Sequence, residues 1–299
     1  MTKRAYILAG LFVFIASLVF AQAPSTVKAY ELYTEGEYAL ASKAIDQAIT
    51  EKEGVGDPLA WQLRAIIYYE LFAKIEGKNK LSESRVKSLS SALHSMELDE
   101  NKEFYDQNVL ILENISFTYY NDAVTELSNV DPNNPGFAES SFKEYIRLQR
   151  IAHPDSDLKQ KEIEFYRAQA TAFGSLYQMD PEGNLKFFDL TIESLQNVLQ
   201  LDSLDYAAHY NLSVYYYNEG AFKIETMNSN IPLPDIIIIE KESIDLFKKA
   251  LPHMLKAHDI KKREDTYKGL IGIYRSLSDV EKSDYYRLEL EKFIENKSK

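Results

Sequence analysis

AAHYNLSVYYYNEG, residues 207–220, decides the reading of this chain. Three consecutive tyrosines, Tyr215, Tyr216 and Tyr217, invite the idea of an aromatic platform. On a helix, however, successive residues diverge by about 100°, so the three rings leave on different faces. The surrounding residues keep helical spacing: His209, Leu212, Ser213 and Tyr216 fall on one face. Tyr210, Val214 and Tyr217, four and three apart, fall on a second, with Asn211 and Asn218 beside them. Tyr216 is therefore expected to pack, Tyr217 to contact a ligand, and Tyr215 to pack against the partner helix.

The same spacing recurs along the chain. In Ala29–Ile49 a helix ends at Gly36, and a second opens at Tyr38 with Ala41, Ile45 and Ala48 on one face. Trp61, Ala65 and Tyr68 repeat the first-helix pattern, with Arg64 out of type, and Ala92 and Ser95 close that pair. A looser third pair has Tyr120, Ala123, Val124 and Leu127, then Ser141 and Tyr145, ending near Pro154. Tyr166, Ala170 and Phe173 begin a fourth, with Ile192, Leu195, Val198 and Leu199 in its second helix. The opening stretch begins the fifth, completed by Ala250, Met254 and Ala257. Tyr267, Leu270, Ile271 and Tyr274 begin the sixth, whose last helix is highly charged, as a solvated end cap should be.

Over roughly residues 25–297 the chain resembles the tetratricopeptide repeat (TPR) family, whose first helix carries a W-x2-L-G-x2-Y pattern. His209, Leu212, Ser213 and Tyr216 stand in those slots, with serine meeting the demand for a small residue. The fold class expected is all-α: an α-solenoid of about six TPR-like helix pairs, wound as a right-handed superhelix. A helix pair cannot bury its apolar stripe alone, so stacked pairs share one core. One solenoid domain over 22–299 is expected, with any weak joint near Pro132–Gly136. The looser resemblance is to secreted repeat proteins of Gram-negative bacteria.

The leader supports export. Lys3 and Arg4 precede an apolar run from Ala5 to Phe20, and small residues follow, which reads as a signal peptide over 1–21 cleaved after Ala21. The alternative is an uncleaved anchor, for which the run is short. With no cysteine, a lipid anchor at a lipobox, disulfides and thiolate metal sites are excluded. The expected location is periplasmic, outer-membrane-associated or secreted. Formal charge is −12, and loss of Lys3 and Arg4 makes the mature chain more acidic still. The one dense basic cluster, Lys261–Arg263, is followed at once by Glu264 and Asp265. Nucleic acid is therefore not expected as a partner.

Chemistry is thin. There is no nucleophile elbow, phosphate loop or H-E-x-x-H. His253 and His258, five apart, diverge on a helix and do not suit a shared metal, and His209 is read as structural. No catalytic residue, metal or cofactor is expected. The fifth pair carries extra sequence over 221–243. Its first helix is expected to reach about Ser229, and the second to start with Asp235 as N-cap. An extended segment through Ile236–Ile239 is the alternative. This apolar stretch is either a docking patch or a cover over the repeats.

In the family the first-helix face lines a concave groove that binds peptides. The resemblance thus implies Tyr210, Asn211, Val214, Tyr217 and Asn218 as the partner-binding face. It also implies a non-catalytic scaffold for a protein or peptide partner, associated with envelope complexes. A glycan or small-molecule binding module, suggested by the 21 tyrosines, is the alternative.

Overall fold

A computed structural model describes residues 23–227 and 231–297. The signal peptide expected over 1–21 lies outside them. Among the described residues all regular structure is helical. No helix there is long and apolar enough to cross a membrane. The chain forms two compact units that divide at Ser156/Asp157, and each holds three helix pairs.

The first unit runs α1 (Pro24–Thr34), α2 (Tyr38–Ala48), α3 (Pro58–Glu70), α4 (Glu83–Leu98), α5 (Tyr105–Ser128) and α6 (Phe137–Ala152). Short connections fold α2 onto α1, α4 onto α3 and α6 onto α5, and each pair touches the next. This is the nearest-neighbour packing of a helical solenoid. Gly36, with φ +81°, makes the first turn, a left-handed conformation that a side chain would strain. Asp57 caps α3 by accepting from the Leu59 amide at 2.9 Å, and Pro58 follows where its missing N–H costs nothing. One π-turn, Leu71–Ile75, prolongs α3 and buries Leu71 and Phe72.

Ala41, Ile45 and Ala48 are fully buried, as their spacing requires, and pack with Ala29, Ala60, Leu63 and Ile67. Arg64, out of type for a core slot, is explained by its partners. It holds Asp46 of α2 at 2.7 Å and Ser91 of α4 at 2.6 Å. Its guanidinium also lies 4.8 Å from the Tyr68 ring centroid. Tyr68 donates to the same aspartate at 2.6 Å, so burial and this carboxylate push its phenol up to about 12. The third pair departs from expectation. Its first helix spans 105–128, its core comes from Leu112 and Ile115 ahead of Tyr120, and Val124 is exposed. The turn at 131–136 joins the helices of that tightly packed pair and is not a joint. The division lies twenty residues further on.

The second unit runs α7 (Lys159–Met179), α8 (Leu185–Leu201), α9 (Tyr206–Glu225), α10 (Leu233–Ile260), α11 (Glu264–Ser276) and α12 (Val280–Lys297). It repeats the pairing α7/α8, α9/α10 and α11/α12. Val198, Leu212, Ala250, Ala257 and Leu270 are fully buried, which bears out those repeat slots, and Phe187 joins them in the core.

Two details of the extra sequence differ from expectation. α9 stops at Glu225, short of Ser229. α10 begins at Leu233 with Pro232 as N-cap, ahead of Asp235. Pro234 is tolerated because first-turn amides have no helical acceptor to lose. Ile236–Ile239 are helical rather than extended, so tertiary context overrides the strand preference of β-branched residues. In the first turns of α10, Leu233, Ile237 and Ile238 are exposed, whereas Ile236 and Ile239 are half-buried.

Candidate functional site

The three tyrosines of α9 do separate, each with its own neighbour. Tyr216 is buried, edge-on to Phe188 of α8 (6.1 Å between centroids, 70°) and stacked on His253 of α10 (6.3 Å, 22°). Tyr215 departs from expectation. It meets α7 of the preceding pair, its hydroxyl filling the space where a Cβ on Gly174 would stand. Nearby, Tyr177 of α7 donates to the buried Glu219 of α9. Tyr217 faces the other way, toward α11, with Phe247 of α10 at 5.4 Å.

This splaying leaves a cavity of about 240 Å³ between α9 and α11. α9 contributes Tyr210, Val214, Tyr217 and Asn218; α11 contributes Asp265, Lys268, Gly269, Gly272 and Ile273; Met254 of α10 completes it. Four of the five residues expected on the binding face therefore come together. Asn211 does not: it is exposed and outside the lining. It shares Asn218's angle on α9 but sits two turns nearer the N-terminus, about 10 Å along the axis.

Asp205 sets the start of α9, its carboxylate accepting from the Ala208 amide at 2.8 Å and from Arg167 of α7. That cap fixes the rotation of the helix and so the aim of Tyr206 and Tyr210, which stack with centroids 5.9 Å apart and planes 12° from parallel. Burial raises the Tyr210 phenol pKa, Asp265 adds to this, and Arg263 opposes it. The Tyr206 phenol is also raised, chiefly by burial. Both rings are thus neutral at pH 7, as hydrogen-bond donors with aromatic faces.

On α11 the cavity exists because of two glycines. A Cβ on Gly269 would stand 2.4 Å from the Met254 methyl, and one on Gly272 3.3 Å from the Tyr217 hydroxyl. The charged rim groups are already engaged on their own helix: Lys268 with Glu264 at 2.6 Å, and Asp265 with Arg263 at 3.4 Å. The interior is aromatic and aliphatic, with the Tyr210 and Tyr217 hydroxyls and the Asn218 amide making no hydrogen bond among the described residues. Such a site grips an apolar group by contact area and orients it through a few polar tips. The α11 lining was missed in the sequence, although glycines inside a helical pattern signal close approach.

Two further expectations concern histidines. His209 is not solitary: its Nδ1 lies 3.0 Å from Nδ1 of His253, and its Nε2 lies 3.1 Å from the Ser203 carbonyl. The carbonyl fixes Nε2 of His209 as the donor, so His253 donates between the rings. His258 stands apart, 2.9 Å from Thr266 Oγ1 and edge-on to Tyr267. No group of three or more metal-ligating side chains occurs among the described residues.

Comparison with known proteins adds little to this geometry. No protein-family model matches the chain, and no curated protein matches it. Among solved structures, it is similar to a monomeric mutant of IFIT1 with Gppp-AAAA, at 13% identity and a TM-score of 0.35, over 91% of this chain and 71% of that one. The helical-repeat fold thus stands on the helix pairing described above.

One expectation is corrected. Nucleic acid was set aside as a partner because the chain is acidic and its one dense basic cluster, Lys261–Arg263, is followed at once by Glu264 and Asp265, yet this structural neighbour was solved with the oligonucleotide Gppp-AAAA. Net charge sums the whole surface, whereas a phosphate reads only groups within about one Debye length, roughly 8–10 Å. The exclusion is withdrawn, and a likeness of this strength assigns no ligand to the present chain.

Proposed function

We propose that this protein is a non-catalytic helical-repeat scaffold that binds an extended segment of a partner protein between α9 and α11. One apolar side chain of that segment enters the cavity. The observation that carries this reading is size together with lining. At about 240 Å³ the cavity is smaller than the roughly 300–1,000 Å³ of pockets that enclose whole small molecules. It has room for a single side chain, and its free phenol and amide groups are placed to meet the backbone on either side.

The leader at 1–21 supports a place in the cell envelope, so partners would be periplasmic or outer-membrane proteins and their complexes. The test is selection of a random 12-residue phage-displayed peptide library on the mature protein, followed by fluorescence polarisation with the selected peptides. The expected result is a shared aliphatic or aromatic position whose alanine replacement abolishes binding. A Tyr217→Ala variant should lose the same peptides. No enrichment over a blank surface would overturn the reading.

A second reading rests on the Tyr206–Tyr210 stack, whose nearly parallel, half-exposed rings offer a face to a sugar ring. A glycan array probed with the wild type and Tyr210→Ala distinguishes it, since only the glycan reading expects array binding that depends on Tyr210.

A further inference from the structure

We propose that the first half of α10 is a self-association surface, on which a second copy of this chain docks by antiparallel pairing of the two α10 helices. The inference is independent of the peptide reading, because the residues involved do not line the cavity.

α10 is 28 residues long; full burial on its inward face begins with Ser243, Phe247 and Ala250, with Ile236 and Ile239 half-buried ahead of them. Ahead of and beside that face, Leu233, Ile237, Ile238 and Ile244 are exposed by 70, 58, 54 and 40%. Apolar groups gathered on one stretch of surface mark an interaction site rather than ordinary exposure. Leu233, Ile237, Glu240 and Ile244 follow one another at spacings of four, three and four. That is the seam spacing of a helix that packs along a second helix.

The charges in that seam identify the occupant. Glu240 and Lys241 are adjacent, exposed and without an ion pair among the described residues. Their neighbours are already served: Glu242 by Lys223 at 3.0 Å and Asp245 by Lys248 at 3.6 Å. A two-fold axis crossing α10 between residues 240 and 241 places Glu240 against Lys241 of the second copy, and the reverse. The same axis sets Ile237 against Ile244, and Leu233 against the alkyl stem of Lys248. Every contact is made twice, as an isologous interface demands. One axis satisfies the two unpaired charges and covers three of the four exposed aliphatic side chains, so the stripe is complementary to itself.

A single helix pair lies at or below the low end of stable interfaces. The expected dimer is therefore weak, with a dissociation constant on the order of micromolar. Sedimentation velocity of the mature protein from about 5 to 500 µM tests it, with circular dichroism and melting to confirm each variant's fold. The wild type should shift from monomer to dimer across that range. Ile237→Asp should remain monomeric with an unchanged melting temperature. Glu240→Lys places like charges together twice and should weaken dimerisation at least tenfold, while E240K combined with K241E should restore it. If Ile237→Asp lowers the melting point, Ile237→Ser replaces it. The proposal fails if the wild type stays monomeric, if the Ile237 variant dimerises as tightly, or if the double swap does no better than E240K alone.

Discussion

Tyr217 of α9 stands over Gly272 of α11: a Cβ added at Gly272 would lie 3.3 Å from the tyrosine hydroxyl and 3.5 Å from its ring. Gly272→Ala should therefore separate stability from binding. Replacing an interior helical glycine gains up to about 1 kcal/mol of helix propensity, which offsets a displacement of a few tenths of an ångström in Tyr217. The added methyl meanwhile takes space from the cavity. We expect a melting temperature equal to or above wild type, with affinity for selected peptides reduced several-fold. Unchanged affinity would place the binding site elsewhere.

Tyr216 and Tyr217 should differ although they are adjacent. Tyr216 is buried between Phe188 and His253, so Tyr216→Ala leaves an aromatic-sized hole and should cost about 3–5 kcal/mol. Tyr217 is half-buried and faces the cavity, so Tyr217→Ala should cost less than half as much while abolishing peptide binding. Denaturant titration checks the first and fluorescence polarisation the second. Equal losses of stability would contradict the assignment of faces.

Much of this was legible in one stretch of sequence, because helical angle alone determines that three consecutive tyrosines diverge. The repeat spacing placed Leu212, Ser213, Tyr216, Ala250 and Met254 in the core, where they are found. What stayed illegible was long-range pairing. That Tyr215 would settle on Gly174, some forty residues earlier, depends on how α7 and α9 meet. The opposite wall of the cavity comes from α11, which no pattern within α9 could name. The third pair was misread at its first helix because the slots were sought too late, past Leu112 and Ile115. Four isoleucines in α10 were ambiguous for a different reason: local propensity and fold disagree there, and the fold wins.

Ser213 occupies the small-residue slot at full burial, and its hydroxyl has no hydrogen-bond partner among the described residues. A buried donor left unpaired costs about 1–3 kcal/mol. Ser213→Ala keeps the size of the slot nearly unchanged and removes that group, so we expect stabilisation by about 1 kcal/mol in urea titration. A loss of stability instead would show that the hydroxyl has a partner, a bound water included.

In the first unit, Arg85 is 4% exposed. It is held by Asp122 at 2.6 Å and by the Tyr119 ring, whose centroid is 4.0 Å away. Breaking such a pair from one side leaves an uncompensated buried charge, a loss of about 3–5 kcal/mol. Asp122→Ala should therefore be among the most destabilising surface-proximal changes in this unit. Converting both partners, as Arg85→Met with Asp122→Ala, should recover most of that loss because no charge is then stranded. Similar melting points for the single and double variants would mean that the loss does not come from a stranded Arg85 charge.

Stability should fall as pH drops below about 7, and the histidines of the second unit give the reason. Burial lowers the pKa of His253, and the His209 ring facing it adds to the effect. His258 is lowered in the same direction, by burial and then by Lys262, with Asp259 opposing. A histidine depressed in the folded state takes up its proton more readily in the unfolded chain. The unfolded state therefore binds more protons once pH falls through its value near 6.5, and stability declines with it. The contribution is complete above that value and lost progressively toward the lower folded value. Glu264, Asp279 and Glu289, lowered by their lysine partners or by a backbone amide, lose theirs only at still lower pH, near and below the ordinary carboxylate range. Melting curves from pH 8 to 5 should thus show a steady fall that His253→Gln flattens and the pair His253→Gln with His258→Gln flattens further. A wild-type melting temperature constant between pH 7.5 and 5.5 would contradict this account.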